Sequence, residues 1–156
     1  MKKNLPISTD DFQTVINGGY YFVDKSMFIA EALSNMSETK LILRPRRFGK
    51  SLNMSMLKAF LEIGSPKGLF DGLAISGQKD FCEAHQGKYP VIFLSFKDII
   101  AQDFSQALER LATRIGREAK RLGISSFTEI DEDDLAIIRK LSNETATETM
   151  LLTAFI

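Results

Sequence analysis

Cysteine is all but missing from this chain. Cys82 stands alone, which excludes an internal disulfide and a cysteine metal cage, and its expected role is that of a small buried hydrophobe. Tryptophan is absent and histidine occurs once, as His85. A lone histidine beside Lys88 and Tyr89 is read as a surface or structural residue, not as a ligand or catalyst. No charge of one sign prevails, because twenty Lys and Arg balance twenty Asp and Glu. Global charge thus points to no polyanion partner, and any basic site must be local. No long apolar stretch follows the basic start Met1-Lys2-Lys3. Neither a signal peptide nor a membrane span is expected, and the cytoplasm is the default location. Internal repeats and low-complexity segments are also missing.

What is present suits a packed domain. Hydrophobic residues make up 44% of the 156 positions and charged residues 26%, enough for one core inside a polar surface. Residues 8–19 read as a short helix, with Ser8 or Thr9 as cap, Asp10 and Asp11 in the first turn and Gly18-Gly19 at the end. Tyr20-Tyr21-Phe22-Val23 is a short β-prone run. Asp24 then caps a helix carrying Phe28, Ile29, Ala32 and Leu33 on one face. The run Leu41-Ile42-Leu43 lacks polar alternation, as in a strand buried on both faces of a parallel sheet. The segment after Lys50 is apolar nearly all round, with Leu52, Met54, Met56, Leu57, Phe60 and Leu61. Such a helix is expected between the sheet and another element.

Further along, residues 69–75 read as an irregular connection, and residues 78–86 as a helical turn. Pro90 opens a second strand candidate that runs to Phe96. Asp103 caps the clearest helix, with Phe104, Leu108, Leu111, Ile115, Ala119 and Leu122 on its apolar stripe and Gly123 past its end. The carboxylates at 131–134 start another helix bearing Leu135, Ile137, Ile138 and Leu141. They lack the alternating spacing and glycine of a calcium loop. Two strands, each followed by a helix, predict an α/β domain with a parallel sheet flanked by helices.

The chemistry concentrates between the first strand candidate and its helix. A phosphate-binding loop of the Walker type reads G-x-x-x-x-G-K-[S/T], and Gly49-Lys50-Ser51 supplies its second half. Arg44 occupies the place of the first glycine, so the strict pattern fails. Each remaining part has a physical task. Gly49 lets backbone approach a phosphate. Lys50 places a point charge on the terminal phosphates, and Ser51 offers a hydroxyl to Mg²⁺. Arg46 and Arg47 add forked donors, and Pro45 stiffens the entry. Phe48 and Leu52 complete the cradle and the helix start. With Arg44, Arg46, Arg47 and Lys50, four positive charges fall within seven residues of a neutral chain; a bound polyanion would relieve their repulsion.

The run Arg44 to Ser51 resembles the variant P-loop of the predicted AAA-ATPase-like family, which tolerates loss of the first glycine. Leu5-Pro6-Ile7 with Asp11-Phe12, the Tyr20 to Ser26 run, Leu69 to Ile75 and Lys88 to Phe96 resemble segments of the same family. The resemblance covers roughly residues 4–120. It implies a P-loop NTPase-like α/β fold, ATP and Mg²⁺ as cofactors, and a Tyr20–Ser26 segment near the nucleotide base. Many members carry a PD-(D/E)XK nuclease-like domain further along, so any nucleic-acid contact is expected through such a domain. On this reading residues 1–39 form an N-terminal helical segment and residues 40–156 an incomplete P-loop core.

The acid that should hold Mg²⁺ at the end of a second buried strand is not recognisable. Asp98 follows the 90–96 run without an apolar-Asp-Glu ending, and the apolar tail 150–156 has no carboxylate. The expectation is therefore an N-terminal portion of an ATPase. It binds ATP through Lys50 and its neighbours, and turnover by this chain alone is in doubt unless the acidic strand is supplied elsewhere. The rival is a non-enzymatic remnant or interaction module whose basic loop meets a nucleic-acid or protein partner. Neutral charge and the lack of aromatics among basic residues oppose broad nucleic-acid binding. Oligomeric state is not legible.

Overall fold

The structure is a computed structural model, and it describes residues 3–7, 9–34, 39–43, 45, 47–97, 99–123 and 131–142. Its regular elements are helices: α1 (Phe12–Asn17), α2 (Met27–Ser34), α3 (Lys50–Leu61), α4 (Lys79–His85), α5 (Phe104–Arg121) and α6 (Glu132–Ser142). Two 3-10 turns, Lys67–Phe70 and Ala74–Gly77, lie between α3 and α4. The chain divides into two compact units, one ending at Val91 and one beginning at Ile92.

The parallel sheet expected from the sequence is not there among the described residues. Neither 41–43 nor 91–96 forms a strand. The β pairing found is an isolated parallel bridge between Glu62 and Tyr89. A strand exists only through its partner's hydrogen bonds, and an apolar run cannot supply that partner. Leu41 and Leu43 are 80% and 81% exposed, and Ile92 and Phe96 are exposed as well. At Phe93 the backbone N–H donates to the Glu118 carboxylate at 2.8 Å, not to a neighbouring strand. The β-prone run 20–23 is likewise irregular.

In the first unit a core forms from Phe12, Ile29, Met56, Phe60, Leu69, Phe70 and Ile75. Phe12 stacks on Phe70 with centroids 5.1 Å apart, and Phe60 meets Phe70 edge-on at 5.1 Å. The helix α3 is therefore buried on one face, with Met54 left exposed on the other; the all-round burial expected of it does not occur. Its C-terminal end is closed by residues after α4: Gly87 N–H donates to Phe60 C=O at 2.8 Å and Tyr89 N–H to Leu61 C=O at 2.9 Å. The helix ends at Leu61.

The helix α1 starts later than the sequence suggests. Asp11 is its cap, taking the Thr14 N–H at 2.8 Å, while Thr9 lies upstream and Ser8 falls outside the described residues. Asp11 also accepts from the Ser55 hydroxyl at 3.2 Å, and that hydroxyl accepts the buried Phe12 N–H at 3.0 Å. Burial pushes the Asp11 carboxyl up. The Thr14 hydroxyl and N–H, the Ser55 hydroxyl and the charge of Lys58 more than reverse this and hold it below 3.8.

Asp24 is a latch more than a cap. Its Oδ1 accepts the Ser26 N–H at 2.8 Å, and its Oδ2 accepts the Ala74 N–H at 2.7 Å. The Ser26 hydroxyl, fully buried, accepts the Ile75 N–H at 3.0 Å. Burial raises the Asp24 carboxyl, but the bonds from Ser26 and Ala74 outweigh it and leave it below 3.8.

Cys82 is half-buried, with its thiol donating to the Ile75 carbonyl at 3.3 Å and burial pushing it up. His85 packs its ring 4.7 Å from that of Phe81, and its Nδ1 is 2.7 Å from the Tyr89 hydroxyl.

In the second unit α5 packs against α6. Asp103 caps α5 by taking the Gln106 N–H at 2.8 Å. The deeply buried positions are Ala112, Gly116 and Ala119; Ala119 lies on the expected stripe, Ala112 and Gly116 lie one step round from it, and Phe104 is 70% exposed. Small residues are buried because they permit close approach, with Leu108, Ile115 and Ile137 packed around Ala112. Asp131, Glu132 and Asp133 are exposed at the start of α6. Asp98 and the apolar tail 150–156 fall outside the described residues.

Candidate functional site: the loop that opens helix α3

The core dictates where this loop ends. Met56 and Phe60 are fully buried, and Leu52, half-buried, packs against the same cluster. The axis of α3 is thereby fixed, and its N-terminus presents Lys50 and Ser51 to solvent. The first backbone bond of the helix runs from the Asn53 N–H to the Gly49 C=O at 2.9 Å. The N–H groups of the first turn precede that bond and point out along the axis. Gly49 brings no side chain to cap them, and the positive end of a helix favours an anion.

The backbone before α3 alternates in hand. Arg47 has φ of 68°, Gly49 has φ of 72° and ψ of 22°, and Lys50 is already right-handed helix. Phe48, between them, is not left-handed, since Arg47 is the one non-glycine residue with positive φ among those described. Alternation of this kind turns successive N–H groups towards a common concavity suited to an anion. A Cβ at Gly49 would meet nothing within 4 Å, so the left-handed φ is what calls for glycine there.

The left-handed Arg47 was not foreseeable from residue type. Glycine, asparagine and aspartate are the usual occupants of that region, and the sequence marks Arg47 only as a forked donor. Phe48, 60% exposed, and the exposed Gly49, Lys50 and Ser51 occupy consecutive positions at one helix mouth. Arg44 and Arg46 lie outside the described residues.

The Tyr20–Ser26 run, expected beside a base, spends Asp24 and Ser26 on the backbone of 74–75. Ser55 is a residue the sequence reading passed over. Its signal was a polar residue within an apolar helix, which here joins α1 to α3.

A hollow of about 430 Å³ borders the segment leading into the loop. Phe28, Ala32, Leu41 and Ile42 give it an apolar wall, and Glu31, Thr39 and Lys40 give it polar groups. Among the described residues no group of three or more His, Cys, Asp or Glu side chains comes together to hold a metal. No described helix is long and apolar enough to cross a membrane.

A helix start without a side-chain cap from Gly49, a backbone of alternating φ sign and an exposed lysine thus meet at residues 47–51. A family model described as Predicted AAA-ATPase (AAA-ATPase_like) matches residues 6–153, and the chain belongs to that family. It is also 30% identical over 125 residues to the "Uncharacterized protein in vnfD 5'region" of Azotobacter chroococcum mcd 1. That match covers 80% of this chain and 23% of the relative, so the chain spans about a quarter of that protein's length. No solved structure matches.

Proposed function

We propose that residues 44–52 form the phosphate-binding loop of an ATP-binding domain. The observation that carries this reading is the alternating hand of Arg47, Phe48, Gly49 and Lys50 at the open mouth of α3. Membership of the Predicted AAA-ATPase family supports it. In this reading the N–H groups of 48–52 cradle the phosphates, and Lys50 neutralises charge on the outer ones. Arg46 and Arg47 contribute forked donors.

The donor set fits Mg²⁺ in part. The exposed Ser51 hydroxyl is a hard oxygen ligand, and the phosphates and water would complete the shell, as magnesium prefers. Bound Mg²⁺ would neutralise charge on the phosphates. No described carboxylate is assigned to it, so the proposed activity is nucleotide binding. The hollow beside 40–42, with its apolar wall, is proposed to take the base.

Calorimetric titration of Mg-ATP into the parent chain and into Lys50→Ala tests the reading. Binding should weaken at least about tenfold in the variant, a loss of about 1.4 kcal/mol. Equal affinity in both chains overturns the assignment.

A further inference from the structure

We propose that Glu31 reads the nucleotide base: its carboxylate accepts a hydrogen bond from the 6-amino group of an adenine seated in the hollow beside 40–42. The inference rests on the reading of the chain as an ATP-binding domain and adds the residue that selects the base.

The helix α2 brings the parts together. At about 100° per residue, positions 28, 31 and 32 fall within roughly 100° of arc, and all three line the hollow. Ile29 and Leu33 lie further round the helix. Ile29 is fully buried and Leu33 packs against the same core. The start of α2 is held as well, since the Ile29 N–H donates to the Ser26 C=O at 2.9 Å, and the buried Ser26 hydroxyl is tied to Ile75. The core thus sets the rotation of α2, and its 28/31/32 face borders the hollow.

The chemistry of the lining decides what the hollow selects. Phe28, Ala32, Leu41 and Ile42 offer apolar surface to a flat ring. Lys40 carries donors only, so the acceptors among the lining side chains are Glu31 and the Thr39 hydroxyl. The Glu31 acceptor is a carboxylate, and a hydrogen bond to a charged acceptor is the stronger kind. In an adenine nucleotide the ring nitrogens accept and the 6-amino group donates. A carboxylate repels phosphate oxygens, so the exposed Glu31 suits the base end of the ligand and not its phosphates.

The test compares Mg-ATP with the Mg complex of purine riboside triphosphate, which lacks the 6-amino group, by calorimetry on the 156-residue chain. The parent should bind ATP about tenfold more tightly than the analogue. In Glu31→Ala, a change at an exposed helix position that alanine suits, the two should bind alike, at the parent's affinity for the analogue. Glu31→Gln keeps an acceptor oxygen without the charge and should show an intermediate preference. An undiminished preference for ATP in Glu31→Ala overturns the proposal. Equal weakening of both ligands overturns it too, since the carboxylate would then act on a part they share. So does GTP binding more tightly than ATP in the parent and losing that advantage in Glu31→Ala. Lys50→Ala separates the underlying reading: it should weaken both ligands and leave their ratio unchanged. Unaltered affinities there would sink the phosphate loop, whereas the ratio in Glu31→Ala alone decides the role of Glu31.

Discussion

Ser55 and Asp11, separated by 44 residues, share a hydrogen bond of 3.2 Å, and the same serine oxygen accepts the buried Phe12 N–H at 3.0 Å. One hydroxyl thus satisfies the backbone at the start of α1 and holds the capping carboxylate in place. Ser55→Ala removes both roles and strands a buried N–H. The expected loss is about 1–3 kcal/mol, read from urea unfolding midpoints. Because Asp11 and Ser55 act together, the effects of Asp11→Ala and Ser55→Ala should not add in a double-mutant cycle.

Asp11 and Asp24 predict the acid behaviour of the first unit. Both carboxyls lie below 3.8 in the folded chain, because hydrogen bonds to the ionised form outweigh burial. A carboxyl lowered by folding contributes stability above its unfolded value. That contribution is lost as pH falls through the folded value. The urea midpoint should therefore decline as pH drops below about 4. A chain with Asp11→Asn and Asp24→Asn should start lower and show a shallower decline over the same interval.

Gly49→Ala should destabilise by about 1–2 kcal/mol, the cost of a left-handed residue with a Cβ. The cause is φ of 72° and not crowding, since the added carbon meets nothing within 4 Å. Thermal or urea unfolding of the variant measures it. If residues 44–52 bind phosphate, pyrophosphate affinity should fall at least about fivefold as well, because the cradle's hand is disturbed.

Ala32→Trp should separate base binding from phosphate binding. Ala32 lines the hollow beside 40–42, and an indole there would fill it. ATP affinity should drop about tenfold while pyrophosphate affinity at the α3 loop stays unchanged. Calorimetry with both titrants reads the difference, and a parallel loss of both would place the base elsewhere.

Much of the helical framework was legible before the structure. Asp103 followed by an apolar repeat gave α5, and the carboxylates at 131–134 gave the start of α6. The Gly49-Lys50-Ser51 tripeptide placed a helix mouth where α3 begins. On α5 the expected stripe held the buried Ala119 but missed Ala112 and Gly116 one step round, because large side chains were taken as the core while small residues form the seam. The sheet was not legible in the right sense: Leu41, Leu43, Ile92 and Phe96 look like buried strand residues and are exposed.

The division has a physical basis. Helix caps, turn glycines and i to i+4 repeats act within a few residues, so the sequence alone determined the helices and the chemistry available at 44–52. Strand pairing, the Ser55–Asp11 contact and the Asp24 and Ser26 latches onto 74–75 join positions more than 20 residues apart. No local pattern specifies such partners, and only the tertiary structure decided them. The left-handed backbone of Arg47 belongs with these, since its strain persists only where the surrounding fold holds the chain in place.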